Sequence, residues 1–217
     1  MYKIDLHTHS SISHDGGITE QQYQTLLEKD PTAVVAITDH NEISLAQKLS
    51  IMYSGRVIVG EEIMSESGEI IGLFLHSRIQ PGLSALATCQ AIKEQGGLVY
   101  VPHPFEKTRH GIPKHILEHL VSYVDIIEGY NARSKEPWLR KRAEQFAKDH
   151  GLIVVAASDA HGRNGLFSSY VAGDDVFSHS TLLDQLSSAH MVKRSASWLA
   201  FIDPVRNKIN KLLAWIR

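Results

Sequence analysis

Five short, apolar, β-branched runs in this chain each end in a histidine or a carboxylate, and this repetition constrains the fold more than any other feature. Residues 2–6 lead into His7-Thr8-His9, Ala33–Ile37 into Thr38-Asp39-His40, and residues 57–59 into Gly60-Glu61-Glu62. Leu98–Val101 leads into Pro102-His103-Pro104, and Ile153–Ala157 into Ser158-Asp159-Ala160-His161. Parallel strands that end this way gather their polar termini at one mouth, which in a β/α barrel is where chemistry sits. Imidazoles and carboxylates without thiolates suit divalent ions such as Mn, Fe or Zn.

The segments between these runs alternate with them. Helices are expected at residues 19–30 (capped by Thr19), 41–53 (capped by Asn41), 84–95, Lys114–Leu120, Pro137–His150 and 180–188. Further strands are expected at 56–63, 124–128 and 170–172, with 69–75 returning from the Ser65–Gly68 turn as a hairpin partner. Strand–helix alternation argues for a parallel sheet with helices outside, and about seven units argue for closure. At 217 residues the chain fits one domain, 1–217, with no repeat or linker that marks a boundary.

Charge and cysteine content narrow the class. A net charge of −2 provides no global attraction to nucleic acid, so no stable nucleic-acid complex is expected. One cysteine excludes an internal disulfide framework and fits a reducing compartment. No secretory leader pattern opens the chain, and no apolar stretch approaches the roughly 20 residues of a transmembrane helix. A cytoplasmic location is the expectation.

The ordered motifs His7-Thr8-His9-Ser10, Thr38-Asp39-His40, Gly60-Glu61-Glu62, Pro102-His103-Pro104 and Ser158-Asp159-Ala160-His161 resemble those of the polymerase-and-histidinol-phosphatase (PHP) family over roughly residues 1–175. The resemblance implies an α/β fold, a distorted (β/α)7 TIM-like barrel with its metal site at the C-terminal ends of the strands. It also implies two or three divalent ions and hydrolysis of phosphate esters. Among the ions, manganese is expected first, with iron or zinc as alternatives.

The implied ligands are His7, His9, Asp15, His40, Glu62, Glu69, His103, Asp159 and His161. His7 and His9 share one side of an extended segment, as do Asp159 and His161. Asp15 lies beside Gly16-Gly17, where a turn aspartate is also common. Asp39 is read as orienting a ligand histidine. Glu62 is the expected bridging carboxylate, with Glu61 on the opposite face. Glu69 stands where many relatives have histidine, an exchange that favours Mn or Mg over Zn. His76 is its competitor and is expected at the surface or rim, while His14 fits no ligand position. Cys89, within a helical pattern, reads as a small buried hydrophobe.

Phosphate also needs cationic partners. Arg109 and Arg133 follow successive strands on the same face, and a guanidinium matches phosphate oxygens two at a time. Arg163 is a weaker candidate. His103 or His161 is the expected proton donor to a leaving oxygen.

Residues 191–217 are expected to form a basic amphipathic helical extension. Val205, Ile209, Leu212, Leu213 and Ile216 share one face. That face is expected to pack on the barrel or on a second subunit, in preference to a membrane surface or RNA.

The function expected is hydrolysis of a small phosphomonoester, such as a nucleotide or a nucleoside 3′,5′-bisphosphate. A 5′-to-3′ exoribonuclease on short RNA, a histidinol-phosphate phosphatase and a non-catalytic metal-binding barrel are the alternatives.

Overall fold

The computed structural model describes residues 1–174 and 178–216, without the side chains of Trp215 and Ile216. Its sheet has nine strands: β1 (Tyr2–Thr8), β2 (Ala33–Ile37), β3 (Val57–Ser65), β4 (Gly68–Leu73), β5 (Leu98–Val101), β6 (Ile126–Asn131), β7 (Ile153–Ala157), β8 (Tyr170–Gly173) and β9 (His190–Val192). The spatial order is β7-β6-β5-β4-β3-β2-β1-β8-β9. Near the mouth, β1 meets β7 through a parallel bridge between Thr8 and Ala160, and the His9 amide donates to the Ala160 carbonyl at 2.8 Å. The sheet is therefore nearly closed into a barrel.

Among the described residues there are seven α-helices: α1 (Glu20–Lys29), α2 (Ser44–Met52), α3 (Ala85–Glu94), α4 (Lys114–Leu120), α5 (Pro137–His150), α6 (Leu182–Ser188) and α7 (Trp198–Ile216). Thr19 closes a capping box with Gln22 at the start of α1, and Ser84 caps α3, so both begin where their polar residues satisfy free amides. One apolar cluster takes Ile4, Val34, Ile58, Ile71, Tyr100, Ile126, Val155 and Val171 from the eight strands β1–β8, together with Leu182 and Leu186 of α6. A cluster fed by every strand around the sheet fills the barrel interior. Other clusters join α3, α4 and α5 to one side of the sheet, and α1 and α2 to another.

The barrel differs from seven parallel units in two respects. The Ser65–Gly68 turn folds β4 back antiparallel between β3 and β5, and β8 and β9 add an antiparallel edge beside β1. The three-residue β9 is too short to carry an alternating pattern. Helix α2 also begins later than expected. Asn41 does not cap it but adopts φ 52, a conformation asparagine tolerates, and its side-chain carbonyl accepts the Met64 amide at 2.9 Å. Its local capping role gives way to a tie across to β3.

Helix α7 does not take the first of the two packings expected of it. Its apolar face does not pack on the barrel: Trp198, Val205, Ile209 and Leu212 are all more than half exposed. Ala200, Asp203, Pro204 and Asn207 are the buried positions instead. The reason is the surface beneath, which presents unpaired loop carbonyls, and these take polar partners. Asn207 Nδ2 donates to the carbonyls of Asp15 (2.9 Å) and His161 (2.7 Å). Lys211 Nζ donates to the carbonyls of Ser13 and Gly16. Arg217 lies outside the described residues. Among the described residues, no helix is long and apolar enough to cross a membrane.

Candidate metal centre

The segments at the C-terminal ends of β1, β2, β5 and β7 and the carboxylates of β3 and β4 meet at one mouth. The geometry centres on Glu62 of β3, which is 1% exposed yet faces four imidazoles. Its Oε1 lies 3.4 Å from His7 Nε2 and 3.2 Å from His103 Nε2. Its Oε2 lies 3.2 Å from His9 Nε2 and 3.3 Å from His40 Nδ1. Glu69 of β4 reaches the same space, 3.4 Å from His40 Nδ1 and 3.7 Å from His103 Nε2. Asp159 Oδ1 stands 3.6 Å from His7 Nε2 and 3.5 Å from His9 Nε2. Asp15 completes the far side, 3.5 Å from His40 Nε2 and 3.3 Å from His161 Nε2.

All nine candidate ligands thus converge. Their atoms form four overlapping groups: His9, Asp15, His40 and His161; His7, Glu62 and His103; His7, His9 and Asp159; and His40, Glu62 and Glu69. An ion bound at roughly 2.0–2.2 Å holds its ligand atoms about 3–3.5 Å apart, which is the spacing seen here. His76 is exposed on the loop after β4, outside all four groups, and His14 lies on the rim.

The protonation pattern fits the same conclusion. Burial opposes charge on His7, but the Glu62 and Glu128 carboxylates raise its pKa to about 10. Burial likewise opposes charge on His40, and Glu62 and Asp15 bring it to about 9. Burial and the neighbouring Glu62 push Glu69 up to about 8. A cluster that draws protons onto ligand imidazoles and a carboxylate lacks positive charge at its centre. Divalent ions displace those protons and supply that charge, so the donor set fits them.

The surroundings fix the ligand side chains. Asp39 accepts the Ser10 amide (2.6 Å) and hydroxyl (2.5 Å), holding the segment after His9. Glu61 faces away from Glu62 and accepts the Ile79 amide at 2.8 Å. His103 and Asp159 adopt φ 26 and 51, a region costly for residues other than glycine and concentrated at functional sites. The His103 amide is tied to Glu128 Oε2 at 2.7 Å, and Asp159 Oδ2 accepts Asn131 Nδ2 at 3.1 Å.

Several of these neighbours were not expected. Glu128 is fully engaged, accepting from His7 Nδ1, Tyr100 Oη, His103 N and Asn131 Nδ2. Lys208 and Pro204 of α7 line the mouth as well. A carboxylate within the apolar run of β6 was the available signal for Glu128. No local signal marked Lys208.

The mouth is a cavity of about 360 Å³, with Arg109 and Arg133 on its wall. Arg109 pairs with Asp159 and sits 3.4 Å from Glu106, while Arg133 Nη1 is 3.4 Å from Asp159 Oδ1. Burial and the charge of Arg109 lower the Arg133 pKa to about 10. Arg163 is instead part of a separate groove beside α1.

Known proteins resemble the chain at two levels, in sequence and in fold. Uncharacterized protein MJ1587 of Methanocaldococcus jannaschii is 36% identical, over 59% of this chain and 83% of its own length. The chain belongs to the same family as MJ1587. Uncharacterized protein MJ0417 of the same organism is 35% identical over 73% of this chain, which spans 65% of that protein's length. Among solved structures, a two-domain protein of Bacteroides vulgatus, described as containing a predicted PHP-like metal-dependent phosphoesterase, superposes with a TM-score of 0.69. The match covers 95% of this chain and 69% of that one, at 18% identity. The chain shares the barrel fold of that protein. The lesion-specific endonuclease PfuEndoQ of Pyrococcus furiosus shares the fold at a TM-score of 0.60 and 13% identity, covering 88% of this chain and 57% of that one. No family model matches the chain. Of the motif residues that carried the resemblance, His40, Glu62, His103, Asp159 and His161 line the mouth.

Proposed function

We propose that this PHP-type barrel is a metal-dependent phosphoesterase that hydrolyses a small phosphomonoester, a nucleotide or a nucleoside 3′,5′-bisphosphate. The observation that carries the reading is Glu62, one buried carboxylate shared by four imidazoles beside two arginines. His7, His103 and Asp159 would hold ions on one side of Glu62, and His9 belongs to groups on both sides. Asp15, His40, Glu69 and His161 would hold ions on the other. Bound divalent ions supply Lewis acidity toward phosphate oxygens and acidify water in contact with them, with manganese the first candidate for an oxygen-rich imidazole set.

The chain's own groups do the rest. Arg109 and Arg133 converge on Asp159, and the Arg133 Nε is buried without a hydrogen-bond partner. Two neighbouring guanidiniums gain from an anion between them, and a phosphate offers each a pair of oxygens. Burial lowers the His103 pKa to about 4 and the His161 pKa to about 3. Neutral imidazoles suit the ligand role better than proton donation to the leaving oxygen. A cavity of about 360 Å³ matches a nucleotide-sized ester better than a polymer.

The test is phosphate release by chelated protein reloaded with Mn, Fe or Zn, over mononucleotides, 3′,5′-bisphosphates, histidinol phosphate and short RNA. Release from a small nucleotide that vanishes on chelation is expected. Full activity in metal-free protein, or none with any ion, rejects the reading, and preference for RNA selects the nuclease alternative.

A further inference from the structure

Helix α7 is amphipathic in the inverse sense for a barrel helix. Its polar side is anchored: Asn207 and Lys211 donate to the carbonyls of two ligand-bearing loops, and Asp203 is fully buried. The contact is close enough that a Cβ on Gly17 would lie 2.6 Å from the Asn207 amide, and one on Gly162 would strike the Asp203 carboxylate. The helix is therefore held by the face that a solvated helix turns to water, and its apolar face is left outward.

That outward face has a specific period. Trp198, Ile202, Val205, Ile209 and Leu212 follow one another at alternating steps of four and three, and Ile216 continues the series in the sequence. This is the heptad spacing of a two-helix seam, with isoleucine at every a position and Trp198, Val205 and Leu212 at d. Ala200 and Asn207 occupy f positions, diametrically opposite the seam, which accounts for their burial against the barrel. Pro204 lies at a c position, away from the seam.

The five seam residues are 43–71% exposed, and Leu199 and Leu213 beside them are 36% and 51% exposed. Together they leave on the order of 700 Å² of apolar side chain, close to the roughly 800 Å² per partner of a standard stable interface. Contiguous apolar patches larger than a few hundred Å² mark interaction sites.

The cations of α7 argue for protein rather than lipid as the occupant. Lys211 is bound to loop carbonyls, Lys208 Nζ lies 3.8 Å from Asp15 at the mouth, and Arg206 Nη2 lies 2.7 Å from Asp203. Each is directed to the chain's own groups, whereas a helix lying on an anionic membrane sets its cations at the headgroups. We infer that a second copy of this chain packs along the seam, so that the protein is a dimer joined through α7.

Sedimentation of the full chain over about 1 to about 100 µM tests this, since a dimer's population depends on concentration. The expected particle is twice 24.2 kDa. Val205→Asp and Ile209→Asp should each raise the dissociation constant at least 100-fold. Ile51→Asp, on the exposed outer side of α2, should leave it unchanged. Leu212→Ala keeps a strong helix former and only shortens an exposed side chain, so it stays folded and should weaken the dimer about tenfold. A monomer at the highest concentration overturns the inference. So does a dimer indifferent to all three seam variants, or a monomer that floats with vesicles of anionic phospholipid.

Discussion

The Nδ1 of His7 faces Glu128 Oε1 at 3.1 Å, and this contact fixes which nitrogen His7 turns to Glu62, His9 and Asp159. Glu128 is fully buried in β6 and also takes the hydroxyl of Tyr100 at 2.6 Å. A carboxylate behind a ligand imidazole sets its tautomer and basicity, and such partners typically matter 10- to 100-fold in metal affinity. Glu128→Gln keeps the shape and removes the charge. Metal titration should find affinity reduced by roughly that factor, with the fold unchanged by circular dichroism. Unchanged affinity would mean that backbone geometry alone orients His7.

Glu62 and Glu69 differ in how many partners depend on them. Glu62 meets four imidazoles and Glu69 two. Glu62→Gln should remove at least one ion and most of the turnover. Glu69→Gln should cost less, because at most one ion loses one ligand. Metal content and turnover measured together decide the order, and a reversed order would move the bridge to Glu69.

The helix anchor gives a selective outcome. Asn207 ties the Asp15 and His161 carbonyls together, and both side chains belong to the group with His9 and His40. Asn207→Ala leaves those two carbonyls without their partner and the two loops free to part. Elemental analysis should find one ion lost and the others retained. Uniform loss of all metal would indicate general unfolding instead.

These residues also mark what the sequence makes legible. Seven of the nine candidate ligands are readable because each follows an apolar strand run, where the motif is local, whereas Asp15 is readable only through the family resemblance. Glu69 is readable through the hairpin turn that precedes it. Glu128 lies within its strand, in Ile126–Asn131, where the surrounding apolar residues suggest burial but name no partner. The face that α7 buries is the least legible feature. Periodicity identifies which residues share a face, but the choice between faces depends on loop carbonyls nearly 200 residues away.

A pH effect on stability arises far from the mouth. Asp30 Oδ2 pairs with Lys3 Nζ at 2.7 Å, and its other oxygen accepts from Thr32. Partial burial works against the charge, but these contacts hold the pKa down at about 2. With the folded value below the unfolded value of about 3.9, the stabilisation is present above pH 4 and fades as pH falls through 2. Asp30→Asn should therefore lower the melting temperature at pH 7, by a modest amount for a partly exposed pair, and the gap should close by pH 2. A gap independent of pH would assign the loss to packing.

Arg109 and Arg133 separate phosphate recognition from metal binding. Neither belongs to a ligand group, although both contact Asp159. Replacing either with Ala should leave metal content intact. If both grip the reacting phosphate, the loss in kcat/KM should be on the order of 2–4 kcal/mol, as for other charge-assisted contacts made in a transition state. Lysine should restore only part of it, because a point charge lacks the two-pronged fit. Comparing a nucleoside monophosphate with a 3′,5′-bisphosphate locates the contact. A loss confined to the bisphosphate places the arginine on the non-reacting phosphate, and an equal loss places it on the reacting one. If neither substrate responds to either replacement, the two guanidiniums serve only to balance Asp159, and the phosphate enters from the Lys208 side of the mouth.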